Sequence, residues 1–354
     1  MKPPATEQLA QQQPTRRGLS LALRSTAALV VLLLTLWGAC ALWFRLPEAL
    51  WRIPCVTAWV ILGAACVYQV ARGQQRHWRR RLGQAFAVCC VALLVWWYSI
   101  TPSHERLWAD DVAHLLQAEI DGDRVTLHQV RNFEWRSETD YTPRWESRSY
   151  DLRRLQSADL VLSYWMGPHI AHTLVSFGFD DGQRIVFSLE IRKERGEAFS
   201  AVRGFFRQYE QILVAADERD IIQTRSNARG EQVYLYSLNL PPAQLRAVFL
   251  GYLEAAQALH DAPEFYNTLT SNCTTIVFEL ARQIAPTLRP DYRLLLSGHF
   301  AHYAYDQGAL VPGYSFADLQ SLGHINARAL LSAELGEDFS HAIRQEMPQA
   351  ANRD

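Results

Sequence analysis

The chain has 354 residues, 49% of them hydrophobic and 20% charged, which is long enough for one large domain and something further. Its net charge of −1 gives no case for a nucleic-acid partner, which would need a concentrated basic face.

The first third is unlike the rest. Residues 25–44, 53–71 and 82–101 are three runs without a charged side chain. Each is about the ~20 residues that a helix needs to cross a bilayer core. A signal peptide has a shorter apolar core and no second and third span behind it. Trp37, Trp43, Trp51, Trp96, Trp97 and Tyr98 stand near the span ends, where interfacial aromatics belong. Arg16, Arg17 and Arg24 precede the first span. The loop RGQQRHWRRR between the second and third holds five more arginines, while the first loop has only Arg45 and Arg52 against Glu48. Positive charge is retained inside, so residues 1–24 form a cytoplasmic segment and 25–101 a three-span anchor. Everything after Pro102 then lies outside the cytoplasm, in the periplasm of a bacterium whose inner membrane holds the spans.

Residues 102–331 contain no linker-like or low-complexity tract and predict one α+β domain, followed by a polar tail at 332–354. In chain order, strands are expected at 123–130, 158–165, 171–179, 183–191, 219–225 and 232–238, from their β-branched and aromatic residues. Helices are expected at 198–213 and 242–259, with a third beginning at Cys273. Arg203 and Arg207 would share a face of the first, and 217–220 reads as a charged turn. The pair AHTLVSFGF and QRIVFSLEI, joined by Asp-Asp-Gly, signals a hairpin. Val175, Phe177 and Phe179 on one strand and Ile185, Phe187, Leu189 and Ile191 on the other are all odd-numbered. Sharing one buried face requires paired numbers with an even sum. A three-residue loop at 180–182, with Gly182 at positive φ, gives a sum of 362 and sets His172 opposite Glu190. Both then fall on the polar face with Ser176 and Ser188. A carboxylate beside an imidazole can fix its tautomer and stabilise the imidazolium. A solvated His–Glu pair is the competing reading.

Cysteines occur at 40, 55, 66, 89, 90 and 273, so Cys273 is alone after Pro102. In an oxidising compartment a lone cysteine has no internal partner. Ile276, Val277, Leu280 and Ile284 follow it at helical spacing, and Ser271 and Asn272 are good N-caps. Cys273 should therefore sit in a first helical turn, where unpaired N–H groups and the helix dipole stabilise a thiolate and can face an oxyanion. Asn272 and Thr274, on either side of the thiol, are the expected oxyanion and support residues. No set of ligands points to a metal. His169 and His172 would face opposite sides of a strand, and His299 and His302 have no completing ligand. The bland alternative is a buried Cys acting as a small hydrophobe.

The runs IAHTLVSFGFDDGQRIVFSLEIRKERGEAFS, FFRQYEQILVAADERD, RGEQVYLY and PEFYNTLTSNCTT resemble the family named for the N-terminal periplasmic domain of the Lnb lipoprotein N-acyltransferase, over roughly 105–300. That family is similar to the permuted papain-like NlpC/P60 group, in which His precedes Cys. The resemblance implies a papain-like domain. The fold expected is therefore an α+β papain-like domain with an antiparallel sheet behind the three transmembrane helices read from the uncharged runs. That three-span anchor departs from the best-studied members of the family. The resemblance also implies Cys273 as nucleophile, His172 as base and Glu190 as third residue. A Cys-His-Glu acyltransferase working through a thioester on phospholipid or lipoprotein substrates, without cofactor, is the function expected. A thiol peptidase, amidase or lipase, and a non-catalytic envelope scaffold, are the alternatives.

Overall fold

The computed structural model describes residues 5–47, 49–72 and 76–349, with backbone alone for 5–20, 76 and 79. Residues 1–4, 73–75 and 350–354, which belong to the expected cytoplasmic segment, second loop and polar tail, lie outside the described residues. The chain divides into two units, 1–101 and 102–354.

In the first unit, helices α1 (Ala5–Arg45), α2 (Ala49–Arg72) and α3 (Arg76–Ser99) contain windows Leu21–Arg45, Ala49–Arg72 and Arg80–Ser99, each long and apolar enough to cross a membrane. α1 and α2 approach closely. A Cβ on Gly63 would stand 2.1 Å from Thr35 Oγ1, and one on Gly38 would stand 2.6 Å from the Trp59 ring. The Trp59 indole donates to the Thr35 carbonyl at 2.8 Å. Small residues that let backbones meet are what apolar surroundings favour, since lipid removes the hydrophobic drive for association.

The second unit begins with β1 (Gln117–Asp121), β2 (Arg124–Arg131), the small hairpin β3 (Glu134–Trp135) and β4 (Tyr141–Thr142), and β5 (Trp145–Asp151). It continues with β6 (Leu155–Tyr164), β7 (Ala171–Phe179), β8 (Arg184–Arg192), a short α4 (Ala201–Gly204), β9 (Glu210–Ala216), α5 (Glu218–Gln223) and β10 (Gln232–Ser237). Helices α6 (Pro242–Asp261), α7 (Cys273–Ile284), α8 (Phe300–Asp306), α9 (Phe316–Gly323), α10 (Asn326–Leu335) and α11 (Phe339–Ala342) complete it. One eight-stranded sheet runs β1-β2-β9-β8-β7-β6-β10, with β5 also on β2. It is antiparallel except where β2 meets β9.

The hairpin has the register demanded by its apolar pattern: Val175 pairs with Phe187 and Phe177 with Ile185, around Gly182 at φ 85°. The odd face packs on α6, α7 and α8 through Phe177, Phe187, Phe249, Tyr252 and Phe278. The even face is not solvated as the alternation suggests. Leu174, Val186, Ile212 and Val214 pack there against Ile221, Ile222, Ala329, Phe339 and Ile343. The sheet is therefore the middle of three layers, and polar side chains on its even face are buried between two of them.

Three expectations change with that second layer. Residues 198–213 do not form one helix. Only Ala201–Gly204 is helical, Arg207 has φ 54°, and 210–216 is the fully buried strand β9. A strand covered on both faces carries no alternation to read. Residues 219–225 form α5 and a π turn rather than a strand, because Asp217 caps the Arg219 N–H and Ile221 and Ile222 fill the second core. The 217–220 cluster is consequently a buried helix start, where Arg131 binds Asp220 through two bonds of 2.8 and 3.1 Å. The third correction concerns the polar tail. Phe339, Ile343 and Met347 lie in the second core, and Arg344 is buried against Glu218 and Asp159, so the domain continues past residue 331.

Candidate active site

Cys273 is the first residue of α7. The Asn272 Oδ1 accepts from the N–H groups of Thr274 (2.9 Å) and Thr275 (3.1 Å), and the Thr275 hydroxyl accepts from the Asn272 N–H at 2.8 Å. This capping box fixes the helix start, and Asn272 Nδ2 ties it to the Thr268 carbonyl at 2.8 Å. Phe278 and Leu280 bury the helix's apolar side, with Ile276, Val277 and Ile284 half-buried beside them. Thr274 Oγ1 meets Thr173 Oγ1 at 3.0 Å and locks the helix to β7. Asn272 and Thr274 thus support the thiol from both sides. Their side chains and the Thr274 and Thr275 N–H groups are committed to that support, and only the Cys273 N–H escapes the cap as an oxyanion donor.

The register between β7 and β8 runs from Gly178↔Arg184 to Val175↔Phe187 and stops. Beyond it side chains bridge the strands. His172 Nε2 lies 3.0 Å from Glu190 Oε1 and 2.7 Å from Ser188 Oγ, and Ser188 donates to the same carboxylate oxygen at 2.8 Å. Glu190 accepts, so Nε2 carries the hydrogen and Nδ1 is left for the thiol. The imidazole and the Thr173 N–H both act on the Cys273 thiol and favour its ionised form. His172 and Cys273 are buried, with 8% and 6% of their surfaces exposed. The lone thiol, the imidazole and the carboxylate therefore converge from a helix and two strands.

Electrostatics follow the geometry. Burial alone pushes the Cys273 thiol up, but the His172 charge, its hydrogen bond and the Thr173 N–H bring it below its ordinary value. Burial pushes His172 down, and the Glu190 carboxylate together with the thiol outweighs this, raising it to about 9. Against its burial, His172 and Arg225 hold Glu190 well below the usual carboxylate range. The two shifts, thiol down and imidazole up, both favour the thiolate–imidazolium form of the pair.

Further groups surround the site. Arg225 Nη2 donates to Glu190 Oε1 at 2.9 Å, while its Nη1 faces Glu231 Oε2 at 3.4 Å. Ser163 donates to that same oxygen of Glu231. Arg225 belongs to the π turn Thr224–Ala228, where the Arg229 N–H reaches the Thr224 carbonyl at 2.9 Å. Such turns recur at functional sites. Tyr266, buried beside the thiol, has its phenol raised by burial and by the negative charge of Cys273 and Glu190, so it keeps its proton. Sequence patterns could not single out Arg225 or Tyr266, because 219–225 reads as a strand and nothing local marks Tyr266, while Ser188 shows only as a member of the polar face.

A cavity of about 400 Å³ opens on the thiol. Its lining includes the apolar Trp165, Met166, Ile170, Phe199, Leu294 and Leu295 and the charged Glu190, Arg225, Arg229 and Glu231. Among the described residues no three His, Cys, Asp or Glu side chains are grouped to hold a metal. The histidine that His299 meets is His169, Nδ1 to Nε2 at 2.8 Å, rather than His302.

The family model described as the Lnb N-terminal periplasmic domain matches residues 141–298. This match includes His172, Glu190, Arg225, Tyr266 and Cys273. Three apolar helices and a periplasmic-domain family describe a membrane-associated envelope protein with a periplasmic domain. No curated protein and no solved structure matches the chain.

Arg225→Gln should raise the His172 pKa above about 9, because Arg225 opposes the imidazolium while Glu190 stays ionised at neutral pH. Imidazole NMR titration reads the shift. Arg225→Lys, which keeps the charge, should largely restore the original value, and an unchanged titration in both variants would remove Arg225 from the site's electrostatics.

Proposed function

We propose that the chain is a thiol acyltransferase of the bacterial inner membrane, with a papain-like domain of permuted NlpC/P60 order in the periplasm. The observation that carries this reading is the convergence of the Cys273 thiol, the His172 imidazole and the Glu190 carboxylate in the lining of a cavity that also carries Trp165, Met166, Phe199 and Leu295. Cys273 Sγ attacks an acyl carbonyl, and His172 gives the proton to the departing alcohol, leaving a thioester on Cys273. The Cys273 N–H, with the Tyr266 phenol as second donor, stabilises the oxyanion. Neutral His172 then takes the proton from an amine as it attacks the thioester, and the amide leaves with Cys273 free. Glu190, fixed by Arg225 and Ser188, holds the imidazole in the tautomer that both steps require.

The wall of Trp165, Met166, Phe199 and Leu295 favours an acyl chain over a polar peptide. Phospholipid is the donor class that a membrane-anchored domain meets first, and the amino terminus of a lipoprotein is an acceptor at the same surface. The experiment supplies the full chain in nanodiscs with phospholipid and a diacyl lipopeptide amine. Lysophospholipid and N-acylated lipopeptide should form in equal amounts. Lysophospholipid with free fatty acid alone would make the protein a hydrolase.

A further inference from the structure

We propose that the rim of the cavity in the C-terminal unit is a bilayer-docking surface, through which an acyl chain passes from lipid to cavity without crossing water. The inference deepens the acyl-transfer reading and rests on it for the purpose of docking, while docking itself is measurable without turnover.

Water-soluble surfaces carry single exposed apolar side chains, whereas clusters mark interaction sites. Here six exposed large apolar side chains lie on segments that contribute to the cavity's lining. Trp165 and Met166 follow β6, Phe199 and Phe205 flank α4 with Val202 on it, and Leu295 lies before Ser297. Met166 is 61% exposed, Val202 52% and Leu295 52%. Four of the six, Trp165, Met166, Phe199 and Leu295, also line the cavity. These four apolar side chains belong both to the exposed surface and to the lining of the cavity that holds the thiol. Trp165 and Phe199 meet edge to face with ring centres 6.0 Å apart, and Thr268 donates to the Ala201 carbonyl at 2.8 Å, joining the segments around the opening.

The occupant follows from connectivity and from shape. Helix α3 ends at Ser99 and the C-terminal unit begins at Pro102, so this unit is joined directly to a helix apolar enough to cross a membrane. A bilayer is the apolar surface permanently beside it. Aromatic and aliphatic side chains around an opening suit an interface of that kind. A protein partner seated on the same rim would close the cavity, whereas a lipid supplies a chain of the right chemistry to enter it. A second exposed apolar group, Leu330, Leu331 and Leu335 on α10, is not part of this cavity's lining and serves as the comparison.

The test places p-benzoylphenylalanine at Phe205, Val202 or Leu330 of the full chain carrying Cys273→Ser, in phosphatidylglycerol–phosphatidylethanolamine nanodiscs. Illumination should give phospholipid adducts at 205 and 202 at least about tenfold above those at 330. Equal yields at all three positions, no lipid adduct at 205 and 202, or adducts there to a second copy of the chain would each overturn the proposal. Because the background lacks the thiol, the outcome does not depend on whether Cys273 accepts an acyl group. A failure of acyl transfer with strong adducts at 205 would leave docking standing alone.

Discussion

His172→Ala should slow iodoacetamide alkylation of Cys273 at pH 7 by roughly one to two orders of magnitude. The imidazolium and its hydrogen bond are what bring the thiol below its ordinary value against burial. Without them burial dominates, and a thiol with a pKa of about 9 is only about 1% thiolate at neutral pH. The pH profile carries the sign. In the native chain reactivity should be developed at neutral pH and change again as His172 loses its proton near 9. In the variant it should rise only above the ordinary thiol range. His172 is buried between Ser188 and Glu190, so the substitution also leaves polar groups unpaired and should cost about 1–3 kcal/mol of stability. The raised imidazole makes its own contribution to stability, fully present below pH 6.5 and lost as pH rises through about 9. Glu190→Gln tests the same chain of effects one step further out. It should lower the His172 pKa and slow alkylation less than His172→Ala does. Equal alkylation rates in native and His172→Ala chains would remove the imidazole from any role in activating the thiol.

Arg344→Met should destabilise the C-terminal unit by about 3–5 kcal/mol, the cost of stranding buried charges. Arg344 Nη1 donates to Glu218 Oε2 at 2.8 Å and its Nε to Asp159 Oδ2 at 2.9 Å, with Ser176 on the same Glu218 carboxylate. Glu218, Asp159 and Ser176 have at most 1% of their surfaces exposed. For a unit of this size the loss corresponds to a fall in melting temperature of roughly 6–20 °C. Adding Glu218→Gln should recover part of it, since one stranded charge is then neutral. The pH dependence follows from the same carboxylate. Against burial, Arg344 holds Glu218 down at about 2, so its stabilisation is complete above pH 4.5 and disappears as pH falls from 4.5 toward 2, roughly 3 kcal/mol in all. A melting temperature unchanged by Arg344→Met would mean that the chain beyond residue 331 is the dispensable tail that its polarity suggests.

What was legible in the sequence was local and periodic. Three uncharged runs became α1, α2 and α3. The odd-numbered apolar positions of β7 and β8 set a register confirmed pair by pair, and Asn272 became the cap of α7. The even face of the sheet misled because Ser176, Ser188 and Glu190 look like solvated residues. They are covered by α5, α10 and α11, elements whose own patterns are weak. Asp220 finds Arg131 across 89 positions and Glu218 finds Arg344 across 126. Separations of that length leave no trace in local composition, so a charged turn and a polar tail were the natural readings of what is a buried network. The same blindness hid Arg225. It reaches Glu190 from a π turn that the Ile-Ile pair of α5 disguises as a strand.

The central claim is that Cys273 carries an acyl group. Purified full chain should be incubated in phospholipid nanodiscs without an acceptor, then digested and mapped by mass spectrometry, with neutral hydroxylamine as the diagnostic for a thioester. A hydroxylamine-labile fatty-acyl adduct on Cys273 is the expected result, absent from Cys273→Ser and reduced at least about tenfold in His172→Ala. An unmodified Cys273 alongside released lysophospholipid, or a hydroxylamine-stable adduct at another residue, would contradict it.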